Sequence, residues 1–248
     1  MKNIVIAGCS MSSDVTSLDP VQKDNSKSKN YLGWPYFLDN QNSNFTIINA
    51  SRDAADNGTI YRNLKYIIKQ NSSKTDWSDT IVFVQWTAVD RHSIFSESEN
   101  DWLLSAQHNT HPDFIKYYKY EHIPEKALQT TLDNISNTQK FLESKNIKYK
   151  MFFGWNVLDD DVDLEGNNID TSKFWFYSGE HWNTWKEGDS NIVKYGGINE
   201  WIRENVSQEI WSRESTGHMS GDKHPSNKAQ MQFCQQVIYK LINGLEKE

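Results

Sequence analysis

An α/β fold with a parallel sheet covered by helices on both faces is predicted by two observations. Short apolar runs of strand length alternate along the chain with stretches of helical periodicity. The segments between the runs are long enough to carry the crossovers that parallel strands require. In order, Asn3 to Ala7 is a β-branched run ending at Gly8, and a polar loop from Ser12 to Asn30 follows. Pro35, in Gly33-Trp34-Pro35-Tyr36-Phe37-Leu38, suits the first turn of a short helix. Phe45 to Asn49 is a second strand, Ala50 to Gly58 a loop, and Ile60, Leu64, Ile67 and Ile68 repeat at helical spacing. Thr80 to Trp86 is the clearest strand. A long amphipathic helix spans 124–145, a fourth strand runs from Lys148 to Gly154, and 226–244 close the chain as a helix.

Two aromatic-rich segments, about 90–123 and 155–215, exceed ordinary connections. We read them as insertions capping the sheet rim within one domain, 1–248. The chain has 248 residues and a formal charge of −7, with no Lys/Arg-rich run, which argues against nucleic acid as partner. Two cysteines, Cys9 and Cys234, make no disulfide framework and match no zinc spacing. A reducing compartment is expected. No stretch approaches the roughly 18 apolar residues of a membrane span, and no apolar leader follows Met1, so the expectation is a soluble cytoplasmic chain.

In a parallel sheet, reactive groups belong beyond the carboxyl ends of the strands. Ser10 follows the first strand, Asn57 the second and Thr87 the third, so all three face one rim. Near the far end, Asp222-Lys223-His224-Pro225-Ser226 opens the last helix. Alone, Ser10 reads as a small turn residue, His224 as a helix-start histidine and Asp222 as a carboxylate favoured by the helix dipole. Paired across the chain, they supply the hydroxyl, imidazole and carboxylate of a serine hydrolase. Cys9 is expected buried. Arg91 reads either as an anion-binding residue or as a surface salt bridge. His108 and His111 have no matching ligand set, and the Asp159-Asp160-Asp161 run lacks calcium-loop spacing, so no metal is expected.

The order Gly8-Cys9-Ser10, Gly33-Trp34-Pro35, Trp86-Thr87 with Arg91 beyond, and Asp222 through Ser226 resembles the SGNH (GDSL-type) hydrolase superfamily. The closer likeness is to a divergent Gly-Cys-Ser branch met in phage and environmental-virus proteins, so a virus-encoded origin is part of the expectation. The resemblance covers the framework strands and final helix, about half the chain, and leaves both insertions outside it. It implies a three-layer α/β/α flavodoxin-like sandwich and cofactor-free ester hydrolysis. In that scheme Ser10 is nucleophile, His224 general base and Asp222 the group orienting the imidazole. The family's oxyanion donors, a second-block glycine and a third-block asparagine, correspond here to Ala54 and Thr87, with Asn57 near enough to replace the missing amide. The expected substrate is a carbohydrate acyl ester or a small acyl ester. The competing readings are a weak or inactive glycan-binding or virion module on the same fold, and an acyltransferase that passes the acyl group to an alcohol.

Overall fold

The computed structural model describes residues 2–13, 32–41, 45–71, 77–105, 110–181, 191–207 and 224–247. Asp222, His108 and His218 lie outside the described residues. Four strands, β1 (Lys2–Ala7), β2 (Phe45–Asn49), β3 (Thr80–Trp86) and β6 (Lys148–Phe153), form a parallel sheet in the order β2-β1-β3-β6. Val5 pairs with both Ile48 and Val82, and Val82 with Tyr149, so the carboxyl ends align along one rim.

Alternation along each strand feeds two cores. Val5, Ala7, Val82 and Val84 face α2 (Asn57–Gln70) and α4 (Pro124–Glu143) through Ile60, Leu64, Leu132 and Ile135. Ile4, Ile6, Ile81 and Phe83 face the opposite way, toward α1 (Trp34–Gln41), α5 (Ile198–Asn205) and the C-terminal helix. Both faces of the sheet are therefore covered, and the three-layer α/β/α sandwich is present. The connection after β1 crosses one face and the connection after β3 the other. Strand order thus reverses between β1 and β3, and the loops there diverge to leave a crevice.

Local chemistry sets the boundaries and corrects three of the expected ones. The loop after β2 ends at Asp56 rather than Gly58, because the Asp56 carboxylate accepts the Thr59 N–H at 2.5 Å and starts α2 at Asn57. The long helix stops at Glu143, where Asn146 (φ 53°) turns the chain back toward β6. The closing helix is α6 (Asn227–Phe233) and α7 (Tyr239–Leu245) joined by a π turn over Cys234–Ile238. Burial pushes the Cys234 thiol up to about 12, so it packs as an apolar group.

The insertions carry order of their own. The first holds a hairpin, β4 (Ser93–Ser96) and β5 (Asp101–Leu104), and a helix α3 (Pro112–Tyr120) capped by His111. The second holds the hairpin β7 (Tyr177–His181) and β8 (Asn191–Gly196), which leads into α5. No helix among the described residues is long and apolar enough to cross a membrane.

Candidate active site

Ser10 sits in a tight loop at the β1–β3 crevice, and that loop is held from several sides. Ser12 N–H donates to Cys9 O at 3.0 Å, and Arg52 N–H to Gly8 O at 3.1 Å. Below it runs a buried polar chain: Trp34 Nε1–H donates to Ser12 Oγ (2.9 Å), Ser12 Oγ–H to Gln85 Oε1 (2.7 Å), and Gln85 Nε2–H to Cys9 Sγ (3.0 Å). Asn49 adds a bond to Ser12 O at 2.9 Å. A buried network satisfied in this way fixes one backbone geometry, because each unmet partner would carry a desolvation cost. Cys9 is fully buried beneath the loop.

His224 approaches from the other end of the chain. Its Nε2 lies 2.5 Å from Ser10 Oγ, with both residues partly exposed. Two features place it. Ser226 accepts the Ala229 N–H at 3.2 Å and caps α6, which sets where the chain enters the helix two residues after the histidine. Asn227 Oδ1 accepts the Leu32 N–H at 3.0 Å and ties that entrance to the segment before α1. A hydroxyl that donates to Nε2 requires the imidazole proton on Nδ1. Asp222, the expected partner of that proton, lies outside the described residues.

The three expected oxyanion positions separate. Ala54 has φ 59°, the left-handed conformation for which glycine is preferred, and its backbone N–H and that of Ser10 donate to no group among the described residues. Thr87 is fully buried, and its Oγ1 has no hydrogen-bond partner among the described residues. Asn57 has a different task. Its Oδ1 accepts Thr87 N–H (2.9 Å) and its Nδ2 donates to Thr87 O and Thr131 Oγ1 (both 3.1 Å), so its amide is consumed in locking the loop after β3 to α2 and α4. The left-handed Ala54 yields a stability prediction. Ala54→Gly removes a Cβ clash of about 1–2 kcal/mol at the cost of some unfolded-state entropy, for a net gain of about 1 kcal/mol. Thermal unfolding should rise by about 2–4 °C.

Arg91 makes no surface salt bridge among the described residues. Its guanidinium carbon stands 5.2 Å from the centre of the Trp155 ring, and Nη1 is buried without a hydrogen-bond partner among the described residues. Next to it, a cavity of about 280 Å³ opens between the loops that follow β3 and β6, with Trp155 and His122 on its wall. Trp155 is held by its neighbours: Asn199 N–H donates to Gly154 O at 3.0 Å, and buried Glu200 accepts the N–H groups of Asn156 (3.1 Å) and Gly197 (2.8 Å).

Sequence patterning missed a second cluster here. His92 and His122 lie with rings 5.4 Å apart, between Tyr117 and Tyr118. Burial, then the positive charge of His122, holds the His92 pKa below its ordinary 6.5, while Asp56 and Asp90 oppose this more weakly. The unfolded chain therefore takes up a proton that the folded chain resists. The His92 contribution to stability is complete above pH 6.5 and is lost as the pH falls below it. Between about pH 7.5 and pH 5 wild type should lose more thermal stability than His92→Phe, which keeps the ring contacts without the titration.

Comparison with known proteins yields neither a matching family model nor a matching curated protein. Among solved structures, the chain is similar to a psychrotrophic esterase, EstA, from Pseudoalteromonas sp., with 16% identity over 100% of both chains and a TM-score of 0.46. It is also similar to a possible lipase from Chitinophaga pinensis, with 11% identity over 98% of this chain and 99% of that one and a TM-score of 0.35. At such identities and scores neither neighbour assigns an activity to this chain.

Proposed function

We propose that the chain is a serine hydrolase that cleaves a carboxylic ester, with a small molecule or an acylated carbohydrate as substrate. The observation that supports it is the 2.5 Å contact between Ser10 Oγ and His224 Nε2 at a crevice where the strand order reverses. Ser10 Oγ attacks the acyl carbon while Nε2 takes its proton. The carbonyl oxygen becomes an oxyanion, received by the N–H groups of Ser10 and Ala54. Collapse of the tetrahedral species expels the alcohol, which leaves with the proton held on His224. Water then repeats the sequence on the acyl-enzyme, releasing the acid and restoring both side chains. Asp222 fills the remaining role of accepting Nδ1–H and steadying the imidazolium. Asn57 is left out of the oxyanion hole because its amide is already committed.

The test is hydrolysis of p-nitrophenyl acetate and of acetylated sugars by the purified protein. Release of acetate is expected. Absence of turnover on every ester, with retained binding of the sugars, would replace the hydrolase by a glycan-binding module. Appearance of a new acylated alcohol in place of free acetate would make the chain an acyltransferase.

A further inference from the structure

The polar chain beneath Ser10 has a direction, and that direction gives one side chain a task beyond supporting the loop. The indole of Trp34 can only donate, so Ser12 Oγ accepts from it (2.9 Å) and sends its own proton on to Gln85 Oε1 (2.7 Å). With its oxygen engaged, the Gln85 amide turns its NH2 group toward Cys9 Sγ (3.0 Å) and Trp86 O (3.3 Å). Cys9 O in turn accepts the Ser12 N–H at 3.0 Å. One carboxamide therefore grips the turn on both flanks of the nucleophile, at Cys9 and at Ser12. The Ser10 N–H, an oxyanion donor in the proposed reaction, belongs to the peptide that leaves Cys9.

Two glycines keep space for this amide. Gln85 is fully buried on β3, between β1 and β6. A Cβ at Gly8, which follows β1, would lie 3.0 Å from Gln85 Cβ and 2.9 Å from Ser12 Oγ. A Cβ at Gly154, which follows β6, would lie 2.6 Å from Gln85 Nε2. We propose that Gln85 is a positioning residue for ester cleavage: its carboxamide, bonded to Ser12 Oγ and Cys9 Sγ, holds Ser10 Oγ and the Ser10 N–H where attack and oxyanion capture require them. The proposal rests on the hydrolase reading of Ser10 and adds to it a buried group that acts through the turn. A reacting group misplaced by about 1 Å can cost about 100-fold in rate, so the tether bears on kcat more than on binding.

Three variants reach the amide from different directions. Gln85→Met keeps the side-chain length and removes both hydrogen bonds. Gly154→Ala leaves Gln85 in place but sets a methyl group against Nε2, the free end of a side chain that can swing aside and lose Cys9. Gln85→Glu brings a carboxyl that reproduces both bonds while protonated, C=O toward Ser12 and O–H toward Cys9, and has no donor once ionised. On p-nitrophenyl acetate, kcat should fall by about 10- to 100-fold in Gln85→Met and in Gly154→Ala, with KM within about threefold of wild type. Combining the two should cost little more than Gln85→Met alone, since both act on one amide. The kcat of Gln85→Glu relative to wild type should fall as the pH rises from about 5 to about 9, because burial raises the range in which the introduced carboxyl ionises. Fluorophosphonate labelling of Ser10 should slow in the same variants. Slowed labelling in a chain that turns over no ester upholds the role of Gln85, and only the hydrolase reading then fails. A Gln85 that served stability alone would lower the melting temperature and leave the kcat of folded Gln85→Met at the wild-type value, which overturns the proposal. So does a loss confined to KM, or a Gln85→Glu ratio that rises with pH. If Gln85→Met does not fold, Gly154→Ala and Gln85→Glu decide the matter.

Discussion

Ser10→Ala should lower kcat on any ester the chain cleaves by about four to six orders of magnitude, while thermal stability stays within about 0.5 kcal/mol of wild type. The two halves of this expectation come from different parts of the loop. The hydroxyl is the atom that faces His224, so its removal takes away the nucleophile and leaves only whatever the binding site and oxyanion donors achieve with water. The fold of the loop depends instead on Ser12, Gln85, Asn49 and Trp34, none of which the substitution touches. His224→Ala should cost a similar factor, and the double variant little more than either alone, because the two groups act as a unit. Steady-state kinetics with melting curves on the three variants provides the check. Additive losses, or a Ser10→Ala enzyme as active as wild type, would remove the hydroxyl from the reaction.

Gly197→Ala should be the most damaging of the glycine substitutions, with a loss of about 3 kcal/mol or more and a fall in melting temperature of about 6–12 °C. A Cβ at Gly197 would lie 2.0 Å from Phe153 O, a backbone atom of β6 that has no rotamer through which to escape. Either β6 or the start of α5 must move. The same junction fixes the chain beside Trp155 through the Glu200 bonds to the Asn156 and Gly197 N–H groups. Gly244→Ala is the contrasting case. Its Cβ would meet nothing within 4 Å, and the residue lies in α7, so alanine there should add about 0.5–1 kcal/mol. Chemical denaturation of the pair reads both signs. A Gly197→Ala protein as stable as wild type would mean that the β6–α5 junction is looser than its contacts imply.

The framework was legible because its strands and helices obey simple periods. Thr80 to Trp86 and the Ile60, Leu64, Ile67, Ile68 repeat occupy the strand and helix that their patterns announce. The juxtaposition of Ser10 with His224 was also readable, since chain order and strand polarity bring both to one rim. The hairpins of the insertions were not readable. Phe95 and Trp102 pair across β4 and β5 and remain 49% and 50% exposed, while the consecutive Leu103 and Leu104 are both buried, so burial does not alternate along so short a ribbon. The hydrogen bonds of Asn57 to Thr87 were not readable, because spacing cannot tell an amide that faces a substrate from one that clamps a neighbouring loop. Gln85 carried a signal that went unused: a polar side chain within a wholly buried strand must have a partner. The His92–His122 pair had none, since thirty residues of insertion separate two rings that only the folded loop brings together.

Labelling with a fluorophosphonate, followed by mass spectrometry of the digested protein, addresses the nucleophile directly. A covalent adduct should form on Ser10 in the native chain, fail to form after denaturation, and slow by orders of magnitude in His224→Ala. An adduct on another residue, or labelling of Ser10 at the same rate with and without the imidazole, would contradict activation of Ser10 by His224.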